Sequence, residues 1–302
     1  PMTALAGPAG DSSLTSSSSN AGPGGGSGSS NSGSTGSSGG STSVSNGSVS
    51  AVTSGLGVYR VTENEGIGAI ARGVDVSYWQ QNVNWSQVAS DNVQFAMLAT
   101  RFRGNVDPFF AMNAANASQA GLRLGAYIYS YATSVEMAQQ EADFVLNLIK
   151  DYPISFPVVF DAEDANTLGT LTQSQVSDVI NAFCKRIQDA GYYPMVYANE
   201  YWIANKIDMS KISYDIWVAK YQQKYTYSKT SMWQASNTGS VKGVNGNVDI
   251  DYLYKDYTKI IPGNTWRTIA GNRYYYQNHV MQKAAWINDG QNWYYMNAAG
   301  NP

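Results

Sequence analysis

From residue 71 to residue 198 the chain alternates short apolar runs with amphipathic stretches, and no other feature restricts its fold so strongly. Residues 74–76, 95–100, 124–131, 157–160 and 194–198 read as strands. Between them, 84–93, 108–121, 134–150 and 172–190 read as helices, with Asn84 and Ser134 placed as N-caps, Pro108 in a first turn and Gly121 at an end. Strands alternating with helices imply a parallel sheet joined by helical crossovers. After a short helical piece at 200–207 come three strand-like runs, 214–219, 232–235 and 248–254, with little helix between them. Five βα units followed by three strands supply eight strands, enough to close a modified TIM-like α/β barrel. An open sheet is the alternative.

The flanks are different in kind. Residues 10–50 are nearly all Ser, Gly, Asn and Thr, with almost nothing apolar to offset the entropy of ordering. The expected organisation is a disordered tether over 1–66, a catalytic barrel over 67–258 and a repeat segment over 262–302. Residues 51–69 are ambiguous, and 57–61 could be a short strand. In the last segment Trp266 and Trp286 stand 20 residues apart, as do Asn272 and Asn292, and Tyr274-Tyr275 and Tyr294-Tyr295. Short aromatic strands around Gly/Asn turns read as repeated β-hairpins, each too small to bury a core alone. The chain begins at Pro1 without a basic-then-apolar leader, so it reads as a piece of a longer protein.

Composition narrows the chemistry. The net charge is −3 and the basic residues are scattered, which argues against nucleic acid or an anionic membrane as partner. No apolar stretch approaches the ~20 residues of a membrane helix. Cys184 is the only cysteine and falls at helical spacing with Val179, Phe183 and Ile187, as a core thiol would. His279 is the only histidine, so multi-histidine metal sites are excluded and no metal or cofactor is expected. Proton chemistry is left to carboxylates.

Those carboxylates recur where a barrel would use them. Functional groups of α/β barrels gather at the C-terminal ends of the strands. Asp75 lies on the first strand, Asp161 and Glu163 end the fourth, and Asp249 with Asp251 lie on the last. Asp161 and Glu163 share a strand face, roughly 6–7 Å apart along the chain, whereas Asp164 points the other way. Crowded carboxylates cannot all ionise normally, so one can serve as an acid while another stays charged. Glycosidic cleavage needs that pairing. Tyr127, Tyr129, Tyr197, Trp217 and Trp233, on the intervening strands, offer apolar faces with polar tips suited to sugar rings. Arg103 and Asp107 could pair in the loop after the second strand.

With these residues in view, 73-GVDVSYWQ-80, 104-GNVDPFFAMNAANASQAGLRLGAYIYSYA-132, 158-VVFDAED-164, 195-MVYAN-199 and 232-MWQASNTGSVKGVNGNVDIDYLY-254 together resemble glycoside hydrolase family 25, the Chalaropsis-type lysozymes. The resemblance implies a modified β/α barrel that cleaves the β-1,4 bond between N-acetylmuramic acid and N-acetylglucosamine in peptidoglycan. By motif, Glu163 matches the proton donor, Asp75, Asp161 and Asp249 match the other active-site carboxylates, and Gln234 falls among the substrate-binding positions. The 20-residue units are similar to choline-binding-type cell-wall repeats. Trp266, Tyr275, Trp286, Trp293 and Tyr295 would then bind the wall, with choline or another wall polymer as ligand. Arg273 stands where the second unit has Trp293, and a cation there opposes a choline cage. The resulting expectation is a secreted or wall-associated bacteriolytic hydrolase. Competing readings are a non-catalytic wall-binding protein and a chitinase-like hydrolase.

Overall fold

The computed structural model describes residues 50–302. The Ser/Gly-rich tract through residue 49 lies outside the described residues. Its expected end at residue 66 falls too late, because Ala51–Ser54 and Gly57–Arg60 pair as an antiparallel hairpin. The Tyr59 ring is buried and its hydroxyl donates to the Gly66 carbonyl at 3.0 Å, while Arg60 and Asn92 exchange two hydrogen bonds. The buried tyrosine and these hydrogen bonds tie this segment to the domain.

Eight strands close a barrel: β1 (Ala71–Val76), β2 (Phe95–Ala99), β3 (Arg123–Tyr129), β4 (Ile154–Asp161), β5 (Pro194–Asn199), β6 (Asp215–Ala219), β7 (Thr230–Gly239) and β8 (Val248–Leu253). Helices α1 (Trp85–Ser90), α2 (Phe110–Gln119), α3 (Val135–Ile149), α4 (Gln173–Asp189) and α5 (Glu200–Asn205) follow the first five strands. Caps fix where they start. Asn84, Ser134 and Thr172 each accept a backbone N–H of the first turn, and Thr172 with Gln175 completes a capping box. Each such cap is worth about 1 kcal/mol.

Both faces of the wall are buried. Phe95, Met97, Val159, Met195, Trp217, Met232 and Leu253 fill the barrel interior. Val74, Leu98, Ile128, Phe160, Val196 and Val218 face outward under the helices, against residues such as Val145 of α3 and Phe183 of α4. Cys184 lies in that outer layer, fully buried. Burying each large apolar side chain contributes about 1.5–3 kcal/mol.

Seven strands are parallel, but β8 runs antiparallel to both β7 and β1. The parallel arrangement implied by the alternating strands and helices therefore does not extend to the last strand. The reversal decides the site: the beginning of β8, not its end, lies at the mouth. Two register shifts in β7, around Ser236, accommodate the change of direction.

Beyond the barrel, β9 (Thr265–Ile269), β10 (Asn272–Gln277) and β11 (Val280–Met281) form one small antiparallel sheet. β12 (Ala285–Asn288) and β13 (Trp293–Met296) form a second hairpin. The first sheet docks on the closed base of the barrel, beside the turns leading into β4 and β5. Thr268 N donates to Ala190 O at 3.1 Å, Tyr276 Oη donates to Lys150 O at 2.8 Å, and Lys283 pairs with Asp151 at 2.6 Å. The Arg267 guanidinium is buried there between the Tyr192 and Tyr276 rings, 3.9 and 4.3 Å from their centroids. A desolvated cation between two ring faces gains about 2 kcal/mol or more. The second hairpin covers the first through Tyr275, Ile287 and Met296.

Candidate active site at the barrel mouth

The strand registers bring the acids together. Asp75 on β1 is paired directly with Asp249 on β8. One layer deeper, Asp251 lies opposite Gly73 and Gln234. Asp161, the last residue of β4, is flanked in register by Tyr129 of β3 and Tyr197 of β5. Glu163 stands two residues past the strand end, partly exposed at the rim. Its charge acts on Asp161, Tyr129, Tyr197 and Asp249, so all of these share one electrostatic site.

A buried hydrogen-bond network orients the group. Gln234 Nε2 donates to Asp75 Oδ2 at 2.7 Å, and Gln234 Oε1 accepts from Tyr197 Oη at 2.7 Å and from Tyr221 Oη at 2.6 Å. Trp217 Nε1 donates to Asp251 Oδ1 at 2.9 Å. Desolvation penalises charge on these carboxyls, and their neighbours add to it. Burial pushes Asp75 up to about 6, against lowering hydrogen bonds from Gln234, Asp249 and Asp251. Burial, then the charges of Asp75 and Asp251, push Asp249 up to about 10. Asp161 and Asp251 are also raised, chiefly by burial. Within its pair with Asp249, Asp75 is the carboxyl that takes the Gln234 N–H, a contact that favours its charged form. Asp161 Oδ1 is buried with no hydrogen-bond partner among the described residues.

Several expected sugar contacts lie elsewhere. Trp233 faces outward on β7, packed on Tyr225 and Tyr252, with Nε1 donating to Lys220 O; it has no access to the mouth. Trp217 points inward but is covered, edge-on to Tyr197 at 4.8 Å. Tyr127, Tyr197 and Gln234 are likewise buried beneath the acids. Period-two reasoning locates strands but does not say which of two buried faces a residue takes. Tyr129 keeps partial exposure beside Asp161. Asp164 is structural, accepting from Asn166 N and Thr167 Oγ1. Asp107 does not pair with Arg103; it accepts from the backbone N–H groups of Tyr78 and Phe109 and braces the rim.

Sequence reasoning missed two elements. Tyr221 belongs to the Gln234 network. In addition, Tyr78 and Phe102 stack at 4.0 Å, with the half-exposed Trp79 edge-on to both. The signal was present: Tyr78-Trp79 follows Asp75 by three residues, in the loop leaving β1. Behind the rim, Glu141 pairs with Arg101 at 2.7 Å and accepts from Ser130 Oγ and Tyr131 N, tying α3 to the loops after β2 and β3.

An α/β barrel with clustered, mutually perturbed carboxylates at one mouth and aromatic rings on its rim is the architecture of a glycosidase. The sequence profile described as glycosyl hydrolases family 25 matches residues 74–244. The chain is 31% identical over 189 residues to YegX of Escherichia coli O157:H7, covering 59% of this chain and 68% of that protein. It is 30% identical over 195 residues to lysozyme M1 of Streptomyces globisporus, covering 59% of this chain and 66% of that one. The crystal structure of the CTP1L endolysin superposes with a TM-score of 0.56 at 25% identity, over 65% of this chain and 70% of the endolysin. The chain belongs to glycosyl hydrolase family 25, and its activity is of the lysozyme class.

Proposed function

We propose that the barrel mouth hydrolyses peptidoglycan between N-acetylmuramic acid and N-acetylglucosamine, with Glu163 protonating the leaving glycosidic oxygen. The observation that carries this reading is the convergence of Asp75, Asp161, Glu163 and Asp249 from β1, β4 and β8 on one site. Glu163 is the one of these that stands beyond the strand ends, where a bound glycan can reach it. Asp75 accepts the Gln234 N–H, which favours its charged form, so it is the anion set to face positive charge developing at the anomeric carbon. Asp161 and Asp249, both raised chiefly by burial, supply the polar, low-dielectric surround. Tyr129 and the Tyr78–Trp79–Phe102 rim would take the sugar faces.

The domain plan that accompanies this reading is a barrel with wall-binding hairpins. It is supported by the exposed Trp286, Trp293 and Tyr295 on the second hairpin. A choline cage at the first unit is disfavoured, because Arg273 already lies 4.1 Å over the Trp266 ring. The place of action is the cell wall, reached from outside the cell.

Glu163→Gln keeps the shape and removes the transferable proton. Release of reducing ends from purified walls should fall by roughly 10²–10⁴-fold, with muramic acid at the new ends of the wild-type digest. Wild-type-like turnover by the variant would remove Glu163 from the chemistry.

A further inference from the structure

Opposite the mouth, the barrel base carries a second polar cavity. The starts of β3 and β4, the turn after β8 and the β10–β11 turn enclose 390 Å³, lined among others by Arg123, Ser155, Asn278 and His279. A second chamber of 410 Å³ shares those four residues and extends to the N-terminal hairpin at Gly57. Neither chamber is lined by a carboxylate, although the chain as a whole is acidic.

The donors in this cavity are not used by the protein. Among the described residues the Arg123 guanidinium has no ion pair and no hydrogen bond. His279 Nδ1 is buried without a partner. Asn278 and His279 both occupy left-handed backbone, at φ 50° and 66°. Asn tolerates that region but a bulkier residue does so at a steric cost. The turn is held there by Asn278 N donating to Asn264 Oδ1 and His279 N donating to Gly263 O, each at 2.8 Å. Ser155 Oγ accepts from Leu124 N, which leaves its own proton to donate. Burial and the neighbouring Arg267 and Arg123 charges hold His279 down at about 4. The ring is therefore neutral at pH 7 and carries one N–H.

We propose that this basal cavity binds a phosphate-type oxyanion. A guanidinium, an imidazole N–H, an amide and a hydroxyl from three chain segments converge on it. That set matches a tetrahedral anion with several acceptor oxygens better than a planar carboxylate. An anion there also offsets the positive charges of Arg123 and Arg267, both of which act on His279. The phosphate can arrive as the free ion or as a phosphodiester within a wall polymer, and the chemistry of recognition is the same.

The test uses the full chain and ³¹P NMR, with inorganic phosphate in one arm and a glycerol phosphodiester in the other, at fixed ionic strength. Protein-dependent line broadening is expected at about millimolar concentrations. Arg123→Gln should weaken it at least tenfold, and Arg123→Lys should fall between, keeping charge but losing the planar fork. His279→Asn, which suits left-handed backbone, should weaken it severalfold and serves if the Arg123 variants misfold. Wall hydrolysis by all three should stay near wild type, since the mouth is untouched. Broadening by phosphate alone assigns the free ion, and broadening by the diester assigns a polymer. No broadening in either arm, or broadening that survives both Arg123→Gln and His279→Asn, overturns the proposal.

Discussion

Asp75 and Asp249 face each other across the antiparallel pair β1 and β8, and Gln234 reaches from β7 to hold Asp75 Oδ2 at 2.7 Å. Two carboxyls in register at a buried mouth cannot both ionise without cost, and the protein keeps protons there that an unfolded chain would release. This arrangement destabilises the fold in the pH range where the proposed chemistry needs Asp75 charged.

The consequence is a stability that declines with rising pH. Asp75 and Asp249 are raised from the ordinary 3.8 to about 6 and about 10. Above pH 3.8 the unfolded state loses these protons while the folded state retains them, so the slope of stability with pH is negative. The contribution is complete below about pH 3.8 and is lost through pH 6 for Asp75 and toward pH 10 for Asp249. Asp249→Asn should flatten the fall between pH 5 and 9 measured by scanning calorimetry. At pH 8 it should raise the melting temperature, at about 2–4 °C per kcal/mol, while wall hydrolysis drops. An unchanged slope would argue that Asp249 is not held protonated.

Gln234 is buried and reaches three groups, so the expected role is to position Asp75 and not to hold sugar directly. Gln234→Ala should lower kcat by roughly 10²-fold with KM nearly unchanged, as expected when catalytic geometry is lost. A change confined to KM would return Gln234 to direct substrate contact.

The rim predicts the opposite split. Trp79 is half-exposed in the loop that leaves β1, edge-on to Tyr78 and Phe102. Trp79→Ala should raise KM severalfold on soluble glycan fragments while leaving kcat within about twofold, the pattern of uniform binding.

Trp266 and Trp286, the matching tryptophans of the two repeats, should separate folding from wall attachment. Trp266 is packed by Tyr275 and Tyr294 and donates to Asp289 at 3.1 Å, whereas Trp286 is 66% exposed. Trp266→Ala should lower the melting temperature, by an amount equivalent to about 3 kcal/mol. Trp286→Ala should leave it within about 1 °C and reduce co-sedimentation with walls. If both variants bind walls fully, the hairpins have another task.

The order of strands and helices was readable because loops, caps and apolar runs are local. Asn84, Ser134 and the 172–190 stretch announce their helices within a few residues. The acids were readable too, since charge at the end of an apolar run is costly without a use. What sequence withheld was direction and side. Nothing within 248–254 distinguishes a strand running up the wall from one running down. With both faces of the wall buried, alternation no longer marks inside from outside. Trp233 and Gln234 are adjacent on β7, yet one lies under the outer shell and the other beneath the acids. Tyr221 was invisible for a related reason: it lies in a loop, and only the closed ring brings it to Gln234.

The N-terminal hairpin and the first C-terminal sheet both fasten to the barrel floor, through Asn92 and Gln94 on one side and Lys150, Asp151 and Ala190 on the other. Anything joined to the protein through either segment therefore holds it from behind. The mouth looks away from both segments, as a blade looks away from its handle. A polymer strand lying across the open end meets neither segment, so the proposed wall attachment would hold the protein without covering its mouth.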